Sequence, residues 1–342
     1  VKKASSLTAA QVKESLLAAG LWPAITQRPY GIIANPETTP KAIFVSAFST
    51  APLAANVEYA LNGQLDNIQA AVDALGKIAK VHVCVNAANE SATLFGKLQN
   101  VTLHTVSGKH PAGNVGVQIH HIAPIQKGEI VWTVSPVMLA AIGKLFTTGK
   151  YDVKRKIAVT GPKAVNPAYV EGYPGISIKD LKDYYNEGEN LRFVSGDVLS
   201  GTNVGAEGFL GFFDNQVTIL EEGNKYELLG WAKPFRCKLF SASHTYFSWL
   251  TPNKKYDMDT NLHGGPRAFV ANDVYGKVLP MELYPVYLLK ACLANDIDKM
   301  EKFGIYEVIE EDLALCEYVC PSKIDIQQII TDGIALMLKE MC

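Results

Sequence analysis

The sequence predicts an α/β protein, with a largely parallel sheet over residues 1–150, a small α+β unit with a β-rich extension after it, and a helical end. Three observations predict it. Short apolar runs alternate with amphipathic helical stretches up to about residue 150, the pattern of a βαβ layer. Glycines at 196, 201, 205, 208 and 211 then punctuate shorter strand-like runs. Helical periodicity takes over after Pro280.

Thr8-Ala9-Ala10-Gln11 has capping-box spacing and opens a helix continued by Val12, Leu16 and Leu17. Ala42–Ala47 is a buried-strand pattern. Leu65–Lys80 carries Ile68, Val72, Leu75 and Ile78 at helical spacing. Val81–Val85, Val101–Val106 and Glu129–Val134 read as strands, and Pro136–Thr147 as a helix. Beyond Tyr151, strands are expected at Arg155–Thr160, Leu191–Val194, Gln216–Leu220, Tyr226–Trp231 and Lys238–Ser241, with a short helix from Ser177 to Tyr185. The C-terminal helices are expected at Met281–Ala294, Asp296–Lys302, Glu310–Tyr318 and Ile324–Met341.

The 342 residues exceed one ordinary core, so two or three domains are expected. Formal net charge is −2 without a basic tract, which gives nucleic-acid binding no electrostatic support. The longest apolar helical stretches, Pro136–Leu145 and Leu283–Leu293, are interrupted by Lys144 and Lys290, so neither reads as a membrane span. The start has no signal-peptide core and no methionine, and reads as part of a longer protein. Cys84, Cys237, Cys292, Cys316, Cys320 and Cys342 form no disulfide framework, as suits a reducing compartment.

The segment Gly108–His121 packs three glycines, a proline and three histidines between two strand-like runs. Such a loop can bring backbone N–H groups close to an anionic or flat ligand. It matches neither G-x-G-x-x-G nor a P-loop, so spacing alone favours a tight crossover. His104, His110, His120 and His121 lie close in sequence. With Val117–Ile122 extended, His120 and His121 would point to opposite faces and could not share a metal. A single histidine handling a proton at a quinone oxygen is the better chemical reading.

Cys316-Glu317-Tyr318-Val319-Cys320-Pro321 is the second half of a C-x2-C-x2-C-x3-C-P run. The first two ligand positions hold Glu310 and Leu313, so no cluster is expected and two buried thiols are. Glu310-Glu311-Asp312 suits a helix N-terminus, and no nucleophile elbow is present. The last helix places Ile326, Ile329, Ile330, Ile334, Met337 and Met341 on one stripe, for the core or for a partner.

Taken in order, these motifs resemble the NqrA family, which supplies one subunit of the sodium-translocating NADH:quinone oxidoreductase. The resemblance rests on Gly20-Leu21-Trp22-Pro23 with Arg28-Pro29, Lys41–Val45 with Ala51–Ala55, and His110–Gly113 with Val115-Gly116 and Ile119-His120. It continues through Ile142–Gly149, Ser195–Gly201, Arg267-Ala268 and Glu310–Cys316 with Val319-Cys320-Pro321. It implies a Rossmann-like flavin-domain relic over 1–150, a β-grasp domain of the soluble-ligand-binding type with a β extension over 151–255, and a degenerate iron–sulfur helical domain over 256–342. The family's N-terminal biotinyl/lipoyl-like domain is not in this sequence, in line with a longer parent.

The resemblance further implies a peripheral subunit on the cytoplasmic side of a bacterial inner membrane, partnered by the integral membrane subunits. The complex would oxidise NADH, reduce a quinone and export sodium, while this chain binds no FMN or iron–sulfur cluster and is inactive alone. Gly108, His110, Pro111, Gly113, Gly116 and His120 are the expected quinone-binding residues. The glycines would give close backbone approach, and His110 or His120 a hydrogen bond or a proton. Asn114, Val117, Gln118 and Ser322 depart from the family's usual residues. A ligand-free scaffold and a free-standing flavin dehydrogenase are the alternatives.

Overall fold

A computed structural model describes residues 6–88, 93–187, 190–224, 239–241, 247–270 and 273–341. The chain opens with helix α1 (Ala9–Ala18), whose Thr8 side chain and Gln11 form the capping box read from sequence. Strands β1 (Ile25–Arg28), β2 (Ile32–Ile33) and β3 (Ile43–Ser46) follow, then α2 (Val57–Ala60), α3 (Leu65–Leu75), β4 (Val81–Asn86), β5 (Thr102–Val106), α4 (Val115–Ile122), β6 (Val131–Val134) and α5 (Pro136–Thr148). The first sheet runs β2-β1-β6-β3-β4-β5. From β6 to β5 every pairing is parallel, and β1 and β2 add an antiparallel edge.

Both faces of this sheet are buried, as continuous apolar strands require. Ile43, Val45, Val83 and Val85 pack with α3 and α5 on one face. Ala42, Phe44, Cys84 and Val131 alternate to the other face, where they meet α4 and the C-terminal helices. Those helices are α6 (Pro285–Leu293), α7 (Ile297–Lys302), α8 (Glu310–Val319) and α9 (Ile326–Met341). The helical end therefore shares a core with the parallel sheet. On α9 the residues Ile326, Ile330, Ile334 and Met337 are buried in that core.

The second sheet holds β7 (Arg155–Thr160), β8 (Ala168–Gly172), β9 (Leu191–Ser195), β10 (Thr202–Asn203) and β11 (Gln216–Glu221), in the order β10-β9-β11-β7-β8. Its β7–β11 pairing is parallel and the rest antiparallel, around a separate core that includes Ile157, Phe193 and Ile219. The fold class is thus mixed α/β, with two mixed sheets and C-terminal helices.

Several expectations are corrected. Val117–Ile122 is helical, not extended, because Val117 and Ile119 enter the core beneath α4. The glycine-rich loop therefore ends at Asn114. The helix expected from Ser177 to Tyr185 is a 3-10 helix, Ile178–Tyr184. Residues 281–284 precede α6, which starts at Pro285. Leu239–Ser241 form no strand, and the Ser241 N–H donates to Ser248 Oγ (3.1 Å) instead of a ladder partner. Tyr226–Trp231 and Lys238 lie outside the described residues, as do Cys237 and Cys342.

A candidate ligand site at the carboxyl ends of the parallel strands

In open α/β sheets, ligands bind beyond the carboxyl ends of the strands. The loop 107–114 leaves β5 at that edge and folds back over the loop that leaves β3. Ser46 Oγ donates to the Gly113 carbonyl (2.8 Å), and the Gly113 N–H donates to Thr50 Oγ1 (2.9 Å). A Cβ at Gly113 would sit 2.6 Å from the Thr50 backbone nitrogen, so only glycine allows this approach. Gln118 Nε2 donates to Ser46 Oγ (2.8 Å) and to the Ala112 carbonyl (3.1 Å) from inside α4. Gln118 Oε1 is buried without a partner.

His110 is half-buried and precedes Pro111 across a cis peptide bond. Its Nδ1 lies 3.2 Å from Thr50 Oγ1. Burial holds the imidazole below its ordinary pKa, against the opposing charge of Asp197. Asp197 belongs to the loop after β9 and accepts from the N–H groups of Leu199 (2.7 Å) and Ser200 (3.0 Å). Gln327 Nε2 of α9 donates to the Leu199 carbonyl (3.1 Å), so both sheets and the C-terminal helices converge at this edge.

Gly116 and His120 face elsewhere. A Cβ at Gly116 would meet both carboxylate oxygens of Asp312 at 2.5 Å. Asp312 and Glu311, in the first turn of α8, accept from Arg28 at 2.5 and 2.6 Å. Arg28 and Asp312 are fully buried, and Asn114 Nδ2 adds a bond to the Glu311 carbonyl (3.1 Å). Burial pushes the Glu311 carboxyl above its usual range despite Arg28, and Asp312, Glu310 and Asp197 add to the rise.

His120 Nε2 accepts from the Glu282 N–H (3.0 Å), which places the ring proton on Nδ1, 2.7 Å from Glu307 Oε2. His121 Nε2 reaches the Pro280 carbonyl (2.8 Å). A groove of about 540 Å³ opens beyond Glu307 and Glu282, lined in part by Tyr284, Phe303 and Tyr306. His120 stands behind its wall. The six expected residues thus divide: His110 and Gly113 sit beside Thr50, Pro111 is buried between them in sequence, Gly108 is exposed at the loop's start, and Gly116 and His120 bind α4 to the C-terminal region.

The half-motif does not fit a cluster. Cys316 and Cys320 are buried against Tyr275, whose hydroxyl lies 3.0 Å from Cys320 Sγ. Burial pushes the Cys316 thiol up to about 12, far from a thiolate ligand. Leu313 fills core space, and Glu310 is exposed in the first turn of α8. Among the described residues, no group of three or more His, Cys, Asp or Glu is arranged to hold a metal.

Comparison with known proteins decides the family. Residues 7–151 match the NqrA second alpha/beta domain, and residues 156–206 match the NQRA C-terminal domain. The NqrA protein of the Na(+)-translocating NADH-quinone reductase from Serratia proteamaculans is 39% identical over 346 residues, spanning 99% of this chain and 76% of that protein. The chain belongs to the NqrA family. The Pseudomonas aeruginosa NqrA is 36% identical over 99% of this chain and 76% of its own length. An NAD+-reducing [NiFe]-hydrogenase chain superposes with a TM-score of 0.42 at 12% identity, over 62% of this chain and 47% of that one. The NqrA motifs Arg28-Pro29 and Ser195–Gly201 carry Arg28 and Asp197, which spacing alone did not single out. Thr50 and Glu307 sit in no motif, and only the fold exposes them.

Proposed function

We propose that this chain takes part in quinone binding within the sodium-translocating NADH:quinone reductase, with His110 as the contact. The supporting observation is a half-buried imidazole at the carboxyl ends of the parallel strands, whose Nε2 meets no acceptor among the described residues. A neutral imidazole N–H suits a quinone carbonyl oxygen. Gly108, Pro111 and Gly113 shape the loop around it, while Gly116 and His120 brace α4. Electrons reach the quinone from flavins held by partner subunits, and this chain holds neither FMN nor a cluster. It sits peripherally on the cytoplasmic side of the membrane complex. Among the described residues, no helix is long and apolar enough to cross a membrane.

Quinone titration of the assembled complex carrying His110→Ala tests this. Loss of one hydrogen bond of about 1 kcal/mol predicts a roughly five-fold rise in the quinone KM. Unchanged KM and turnover would remove His110 from the mechanism. A scaffold reading is favoured by one feature: Arg28, Asn114 and His120 are all spent on contacts with the C-terminal region. A protein that binds no quinone analogue, yet whose deletion disassembles the complex, would establish that reading.

A further inference from the structure

Thr50 Oγ1 lies within hydrogen-bond reach of both Gly113 and His110. Thr50 Oγ1 accepts the Gly113 N–H at 2.9 Å. Its own hydrogen needs an acceptor, and the partner in reach is His110 Nδ1 at 3.2 Å. A hydroxyl carries one donor, and a neutral imidazole one donor and one acceptor. Donation from the Thr50 hydroxyl to Nδ1 satisfies both groups, and this arrangement leaves the ring proton on Nε2. Thr50 is held from two sides, because a Cβ at Gly113 would strike its backbone nitrogen and its side-chain oxygen, at 2.6 and 2.8 Å.

We propose that Thr50 is a positioning residue that fixes His110 as its neutral Nε2–H tautomer, so that this N–H is a preorganised donor to a neutral carbonyl oxygen. The donor offers a hydrogen bond without a full positive charge, and a neutral carbonyl oxygen can accept it. Burial of the ring, which disfavours the imidazolium, agrees with a neutral tautomer. Identification of the acceptor as a quinone rests on the reading above; the tautomer and its control by Thr50 do not.

The test is 15N spectroscopy of the histidine-labelled full chain at pH 7, with His110 assigned by comparison with His110→Gln. Expected are a protonated Nε2 and an unprotonated, hydrogen-bonded Nδ1. Thr50→Val should move Nδ1 to the position of a free acceptor or mix the tautomers, and Thr50→Ser should restore the original spectrum. A protonated Nδ1 in the unmodified protein, or a Thr50→Val spectrum unchanged at both nitrogens, overturns the proposal. Titration with a soluble quinone analogue separates the two readings. A shift of the Nε2 signal, with several-fold weaker binding in Thr50→Val, supports both. A Thr50-dependent tautomer that ignores the analogue keeps this proposal and removes the quinone.

Discussion

At the scale of single residues, the strongest constraint lies beneath the glycine-rich loop. Arg28, on β1, reaches 284 positions along the chain to Asp312. Both are buried, so neither charge is tolerable without the other. Arg28→Met should cost about 4 kcal/mol, because the buried Asp312 carboxyl would be left without its partner. The urea midpoint of the variant measures this, and Arg28→Met with Asp312→Leu should recover much of the loss. Gly116 shares the locus. Its replacement by alanine puts a methyl group on the Asp312 carboxylate and should cost about 3 kcal/mol by the same measurement. His110 differs in kind, since beyond its Thr50 contact one ring nitrogen has no partner among the described residues. The sequence marked His110 and His120 equally; only their neighbours separate the two, since His120 is held by Glu307 and Glu282.

At the scale of elements, ends are set locally and faces by packing. Helix α5 illustrates the first. Ser135 caps it by accepting from the Met138 N–H (3.3 Å), Pro136 sits in its first turn, and Gly149 closes it at φ +73°. Ser135→Ala should lower stability by about 1 kcal/mol in thermal or urea unfolding, with no change in secondary-structure content. The helix expected over Pro136–Thr147 matches α5 to within a residue. Helix α4 illustrates the second. Its glycine and two adjacent histidines read as loop or strand, yet burial of Val117 and Ile119 against the sheet makes it helical. Short segments with weak local preference follow their tertiary surroundings. The same holds for β1 and β8, four and five residues long, which find their partners 107 and 13 positions away at Thr26–Thr133 and Ile157–Val170. No local pattern announced either.

At the scale of the whole molecule, the shared core of sheet and C-terminal helices gives stability a pH dependence. His82 stacks between Phe44 and His104 on the face of β4 that the C-terminal helices cover, with Nδ1 2.9 Å from His104 Nε2. Burial, then the charges of His104 and Lys80, lower its pKa to about 4. The unfolded chain takes up this proton near pH 6.5, and the folded chain only near 4. The stabilisation is complete above pH 6.5 and is lost as pH falls toward 4. The stability of wild type relative to His82→Phe should therefore fall over that window, followed by urea midpoints at half-unit pH steps. A constant difference would show that the two states take up the proton alike.

The sequence by itself determined the α/β class, the chain order of most strands and helices, the family, and the lack of a full set of cluster thiols. These depend on local periodicity, capping residues and ordered motifs, each readable along one stretch of chain. Only the tertiary structure decided that Cys316 and Cys320 close around Tyr275, that the C-terminal helices complete the sheet's second layer, and that Thr50 meets His110 while Glu307 and Glu282 occupy His120. Those outcomes depend on contacts between residues tens to hundreds of positions apart. Hydrogen-bond partners and desolvation at such contacts are set by packing, which no local pattern encodes.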